Sequence, residues 1–401
     1  MIFDFMRTSF TNPANTLWKD AFVLLISFAF FFHVFNTLQV SESVKVFHLF
    51  AVGAIVPGCF IMGGKSNSTG KVFLLFILWT FFSSLLSPIS VSIMAGIKFV
   101  IVALSTFFIT KIQINTLIRF INYLIPFLLV ALIIHYVNSS AVYRYQGFYD
   151  DPNYLCTTLL VFLFFILIGW NGTKNTVIRI GLVVEILIIT YLVTVSISRT
   201  GLLCLFLMLL GFFWDILIQN KLKSILGVLI VLGVVLLYKP DLVEKAVSSY
   251  VNRETENVDT ISGAADLRWE ISKRGLTYVF HHPRYFLFGI GIGSYSSAKE
   301  LPGWYASTDH MDHNTFTSCL SEQGIIGLLL YLGFLFSLFK RILRNQILHD
   351  LKLKRICLVS FFAFLVFSIS IYQLNYLPFW FVLMALVNMS AFKGHNNTSV
   401  E

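Results

Sequence analysis

Ser198-Arg199-Thr200-Gly201 sets a guanidinium between two apolar runs, in a connection so short that the charge must stay at the membrane edge or below it. A charge there is costly unless it is paired or faces a wet cavity. An arginine so placed ordinarily snorkels to the outer headgroups. A guanidinium is also the favoured bidentate ligand for phosphate, and the helix that begins here adds backbone donors and a dipole to the same spot. The sequence therefore points to Arg199 as an anion-binding group.

Three further motifs carry comparable chemistry. In 144–153, Arg-Tyr-Gln-Gly-Phe-Tyr-Asp-Asp-Pro-Asn, a turn accounts for Gly147 and Asp151-Pro152, and Asn153 can cap the helix that follows, but none of this accounts for Arg144. In Asp266-Leu-Arg-Trp-Glu270, Arg268 either pairs with Asp266 or Glu270 or binds a ligand. The downstream run from Phe288 to Tyr295 lacks the G-x-G-x-x-G spacing of a nucleotide loop, so its glycines are expected to bring backbone close to membrane or substrate. In 310–315, His-Met-Asp-His-Asn-Thr, His310 and His313 have a spacing that zinc could use. No cysteine or third histidine completes such a site, so no metal is expected. His313, between Asp312 and Asn314, suits proton transfer or hydrogen bonding to a sugar hydroxyl. Glu322 heads an apolar helix, where it stabilises the N-terminus or orients the histidine.

The elements that position these motifs follow from composition. At 57% hydrophobic and 12% charged, 401 residues hold too few charges to cover a soluble globule. Apolar runs of span length recur without the alternation of a barrel strand, which predicts an all-α polytopic bundle of about twelve spans. They fall near 22–38, 46–62, 72–86, 91–109, 117–137, 154–170, 177–197, 200–218, 225–238, 325–339, 356–372 and 377–392. The organisation expected is helices over 1–238, a polar outer cap over 239–315, helices again over 316–393 and a tail over 394–401. Within the cap, Leu267, Trp269, Ile271, Leu276, Val279 and Phe280 alternate with charged residues as an interfacial helix requires, and Pro283 ends it.

Basic residues orient the threading. Arg7, Lys19, Lys65, Lys71, Lys111, Lys174, Lys221, Lys223 and the cluster Lys340, Arg341, Arg344, Lys352, Lys354 and Arg355 fall in connections of one side, which belongs in the cytoplasm, as does Lys393 near the C-terminus. Both termini are therefore expected in the cytoplasm. Arg144, Arg199, Arg268 and His313 fall on the opposite side, where the rule expects few cations. The residues before Trp18 are only weakly apolar and no small-residue cleavage site closes the first span, so that span is expected to remain as a helix. The net charge of +9 comes mainly from the cytoplasmic connections, whose expected partners are anionic lipids rather than nucleic acid. The five cysteines show no paired loop spacing and are expected to pack. The two halves show no repeat and the outer arginines sit in a cap and connecting turns, which argues against a polysaccharide flippase or other transporter.

In their order, spacing and common side, the motifs from Arg144 to Gly327 resemble the O-antigen ligase and O-antigen polymerase superfamily of bacterial membrane glycosyltransferases. The resemblance implies a GT-C-like membrane fold in the bacterial inner membrane, with the active site facing the periplasm. It implies a metal-independent, inverting glycosyl transfer that needs no cofactor. The donor would be a glycan on undecaprenyl pyrophosphate. The acceptor would be a lipid-linked repeat unit in a polymerase or lipid A-core in a ligase, and a chain-length regulator protein would be a further partner. Arg199 and Arg268 would hold the pyrophosphate with Arg144 assisting, His313 would activate or position the acceptor hydroxyl, and Asn153, Asn314 and Glu322 would contact the glycan. The Asp-Asp-Pro-Asn loop beside Gly147 looks more like the polymerases, which makes polymerisation the favoured branch and ligation the alternative.

Overall fold

Backbone polar groups in lipid have no partners but one another, so an apolar run long enough to span must be helical. The computed structural model of the chain is built from such helices and describes residues 13–35, 38–41, 44–61, 68–139, 145–219, 261–301, 303–304, 312–344 and 351–390. In chain order these are α1 (Pro13–Val34), α2 (Val46–Phe60), α3 (Ser68–Leu86), α4 (Val91–Phe107), α5 (Ile114–Asn138), α6 (Pro152–Gly172), α7 (Thr176–Val195) and α8 (Arg199–Gln219). The cap supplies α9 (Ile261–His281) and the short α10 (Pro283–Phe288), and α11 (Thr315–Arg344), α12 (Leu351–Ser370) and α13 (Leu377–Met389) follow. A helix lies at every expected span except 225–238, which falls outside the described residues. Among the described residues, eight helices are long and apolar enough to cross a membrane, and α2 and α13 are shorter apolar helices. Between α1 and α2, the strands Gln39–Ser41 and Val44–Lys45 pair antiparallel.

The core centres on α13, which is buried along its whole length and packs against α1, α4, α6, α11 and α12. Trp380 on this helix lies within ring contact of Phe73 on α3, Phe99 on α4 and Tyr331 on α11, at centroid distances of 5.1 to 6.2 Å. Its indole Nε1 donates to the Leu374 carbonyl at 2.6 Å, so the large apolar surface is buried with no stranded donor. Apolar side chains around the outside of the bundle, such as Leu78, Phe127 and Leu187, are exposed, as lipid-facing positions require. The five cysteines are free, four of them buried.

In the cap, α9 ends at His281 and Pro283 starts the next helix, in agreement with the expected stop. Its predicted apolar face is divided: Ile271 and Val279 are buried, whereas Trp269 and Phe280 are exposed. Glu270 pairs with Arg274 one turn on, at 3.7 Å, an exposed pair of small energetic weight.

Candidate functional site

One end of the bundle gathers the connections that the threading expects on the outer side, and they enclose a cavity of about 450 Å³. Three groups of residues line it. His33, Lys45, His48 and Lys98 come from the N-terminal helices; Tyr149, Asp150, Tyr154, Tyr372, Asn375 and Tyr376 come from the connections around α6 and α12; Tyr295, Asp312, Ser318 and Glu322 come from the cap and α11. The tyrosines brace one another through short bonds. Tyr154 Oη donates to the Tyr372 carbonyl at 2.8 Å and Tyr376 Oη to the Tyr154 carbonyl at 2.6 Å, while Tyr149 Oη and Thr158 Oγ1 share a bond at 2.8 Å.

Glu322 is held in this wall by a break in its own helix. At Gly324 the backbone turns to φ 70°, ψ −177°, so α11 is two helical segments joined at a kink. The carbonyls freed there need donors. The glycine run supplies them, with Ile290 N donating to Ser321 O at 3.0 Å and Gly291 N to Glu322 O at 2.7 Å. Helix α3 adds Trp79 Nε1 to Gln323 O at 2.9 Å and Ser83 Oγ to Glu322 O at 3.1 Å. The Glu322 carboxylate then accepts from Tyr372 Oη at 2.8 Å and from Tyr295 N at 3.3 Å, and the residue is 2% exposed. The sequence expectation of a helix-terminus charge gives way to a buried carboxylate fixed by a tyrosine and a backbone amide.

The same contact explains the glycines. Gly289 has φ 75°, and a Cβ there would lie 2.2 Å from the Glu322 carbonyl oxygen, so no side chain fits. Gly289→Ala is therefore expected to destabilise the protein by about 2 kcal/mol or more. Gly181→Ala on α7, where nothing lies within 4 Å of the added methyl, should leave the melting temperature unchanged or slightly raised. Melting curves of the two variants in one detergent would test the pair; equal curves would overturn the assignment.

Arg199 begins α8 and is exposed. It does not line the cavity, but the turn that carries it is tied to the cavity wall. Ile197, the one non-glycine residue with positive φ among the described residues, has φ 51°, an unfavourable conformation for a β-branched residue. Hydrogen bonds hold it: Ser198 Oγ donates to Asn153 Oδ1 at 2.6 Å and accepts from Gly201 N at 3.0 Å, and Ser196 Oγ lies 2.9 Å from Cys156 Sγ. Gly201 is required because a Cβ would meet Cys156 Sγ at 2.7 Å. Strain retained in this way concentrates at functional positions.

Two sequence expectations change here. Asn153 does not cap α6; Asp151 does, accepting from Asn153 N at 2.7 Å, because it is the residue just before Pro152 that has the extended backbone a cap needs. The freed Asn153 amide instead joins α6 to the Arg199 turn, next to Tyr154 in the cavity wall. Asn314 caps the start of α11, its Oδ1 accepting from Phe316 N at 2.9 Å and Thr317 N at 3.3 Å.

Asp312 lines the cavity and is buried, accepting from Ser272 Oγ on α9 at 2.7 Å and from Asn314 N at 3.1 Å. Burial raises its carboxyl above the ordinary range, and the bonds from Thr317, Ser272 and Asn314 pull it partly back. His313 follows it and is half-buried. Arg144 and His310 lie outside the described residues, and Arg268 lies on α9 with its side chain outside them. The sequence motifs missed Lys45, Lys98, His48 and His33. Lys45 had the same signal as the arginines, a cation in a connection that the threading expects on the outer side, and Lys98 the signal of a charge within an apolar helix.

These features define a multi-pass helical membrane protein with a tyrosine-braced cavity, lined in part by titratable side chains, at one end of the bundle. Residues 185–332, which run from α7 through the Arg199 turn and the cap to α11, match the family model described as O-Antigen ligase. The match supports the O-antigen polymerase and ligase superfamily, and with it a polymerase- or ligase-type membrane enzyme. A comparison with curated proteins found no match.

Proposed function

We propose that the protein is an O-antigen-type polymerase, which extends glycans carried on undecaprenyl pyrophosphate at the periplasmic face of the inner membrane. The observation that carries this reading is the Ser198 to Asn153 bond, which joins the Arg199 turn to the wall of the cavity that Glu322 lines. It ties the turn that carries Arg199 to the start of α6, whose Tyr154 lines the same cavity as Glu322, and this supports a transfer from pyrophosphate to a sugar alcohol.

In this reading the acceptor hydroxyl attacks the anomeric carbon from the face opposite the pyrophosphate. The new C–O bond forms as the bond to the pyrophosphate oxygen breaks, and the configuration inverts. The bonding electrons leave with the pyrophosphate, and Arg199 and Arg268, with Arg144, stabilise that charge. Guanidinium groups do this without a metal or a cofactor, and a phosphate leaving group needs little acid help. The hydroxyl proton passes to His313, the cavity-lining Glu322 orienting the sugar; Asn153 and Asn314 keep the Arg199 turn and the start of α11 in place around the glycan. The ligase reading stands second, favoured by the description of the matching family model.

Purified protein in nanodiscs would be given a lipid-linked repeat unit alone, lipid A-core alone, or both. A ladder of longer lipid-linked oligosaccharides from the repeat unit alone is expected. Consumption only when lipid A-core is present would replace the polymerase with the ligase, and no transfer in any arm would sink both.

A further inference from the structure

The transfer just described leaves the N-terminal wall of the cavity unused. Lys45 from the strand before α2, His48 from α2, Lys98 from α4 and His33 from the end of α1 all line it. Lys45 N donates to His48 Nδ1 at 3.1 Å, which fixes the imidazole beside the lysine. Lys98 is half-buried and makes no ion pair among the described residues. Burial and the Lys98 charge disfavour the Lys45 ammonium, and Asp150, which lines the cavity with Asp312 and Glu322, favours it, so the two lysines are near enough to repel.

Two cations facing one cavity raise each other's energy, the more so where burial reduces screening. An anion between them would reverse the sign of that interaction. A second, independent observation points the same way. His33 is 3% exposed, lines the cavity, and its Nδ1 has no hydrogen-bond partner among the described residues. A buried ring nitrogen without a partner is costly, and an oxygen-rich ligand in the cavity would relieve it.

We propose that Lys45 and Lys98, flanked by His48 and His33, form a second anion-binding site in the cavity that Glu322 also lines, one that holds a phosphate or a carboxylate carried by the substrate. It rests on the reading of the cavity as the substrate site. The anion has two sources in that reading: the pyrophosphate of the second lipid-linked molecule, or an acidic sugar of the glycan.

The test is a binding titration of the full chain in nanodiscs with three probes: undecaprenyl pyrophosphate without sugar, a lipid-free oligosaccharide containing glucuronic acid, and its neutral counterpart. Wild-type protein should bind at least one anionic probe more tightly than the neutral one. Lys98→Gln and Lys45→Gln should each weaken that binding about tenfold. Lys98→Arg, which keeps the charge, should bind as wild type does, and neutral-probe binding should not change. The anionic probe that loses affinity identifies the source. The site is overturned if wild type prefers neither anion, if the glutamine variants bind as wild type does, or if Lys98→Arg is as weak as Lys98→Gln. Anion binding through these lysines in a protein that extends no lipid-linked glycan would sink the transferase reading alone. Intact transfer with no lysine-dependent binding would sink the site alone.

Discussion

Arg199→Ala is expected to lower the rate of glycan extension by about 10²- to 10³-fold, the usual consequence of removing one preorganised group that stabilises charge on a leaving oxyanion. The expectation follows from how much structure is committed to the turn. Ile197 is kept at φ 51°, and Ser198 is bound to both Asn153 and Gly201 N, so the first residue of α8 starts from a fixed position. Fixing the backbone that carries a guanidinium lowers the entropy cost of ordering it during reaction. The side chain is exposed, so its loss should change stability by no more than about 0.5 kcal/mol. Initial rates on lipid-linked repeat units, with melting temperature measured alongside, would separate the two effects. Arg199→Lys should recover part of the rate, because it restores charge without the bidentate fork. Wild-type turnover in Arg199→Ala would remove this residue from the mechanism.

Glu322→Gln is expected to cost about a hundredfold in turnover, with the donor's KM nearly unchanged. Glutamine matches glutamate in size, and its carbonyl can still accept from Tyr372 Oη. It cannot carry negative charge toward a sugar hydroxyl, and its amide group would face a second donor at Tyr295 N. The fold should persist, because the kink that positions residue 322 depends on bonds to its backbone carbonyls, from Ile290 N, Gly291 N and Ser83 Oγ. Rates and KM measured on the same substrate decide the point. A normal rate in Glu322→Gln would leave the carboxylate with only a structural role beside Tyr372.

Much of the architecture was legible in residue order. Apolar length alone located the helices, because lipid forces each such run to satisfy its own backbone. Pro283 located the end of α9 for a local reason, the missing amide of proline. The Arg199 turn stood out for a local reason too, since its two apolar neighbours leave no room to reach water. What failed was any assignment that depended on the partner of a side chain. Asn153 was expected at a helix cap and is found bonded to Ser198, which is forty-five residues away in sequence. Glu322 was expected at a helix end and is found against Tyr372 and Tyr295.

The sequence by itself determined the solvent of this protein and the positions of its helices, since composition and hydrophobic length act over a single segment. The tertiary structure decided which polar groups share a cavity. Lys45, Lys98, Asp150, Glu322 and Tyr372 are scattered over most of the chain and meet only because the elements that carry them come together around one cavity. Helical periodicity reports which face a residue occupies but not which other helix that face will meet, and the pairing is settled by packing around α13 and by the backbone bonds across the kink at Gly324.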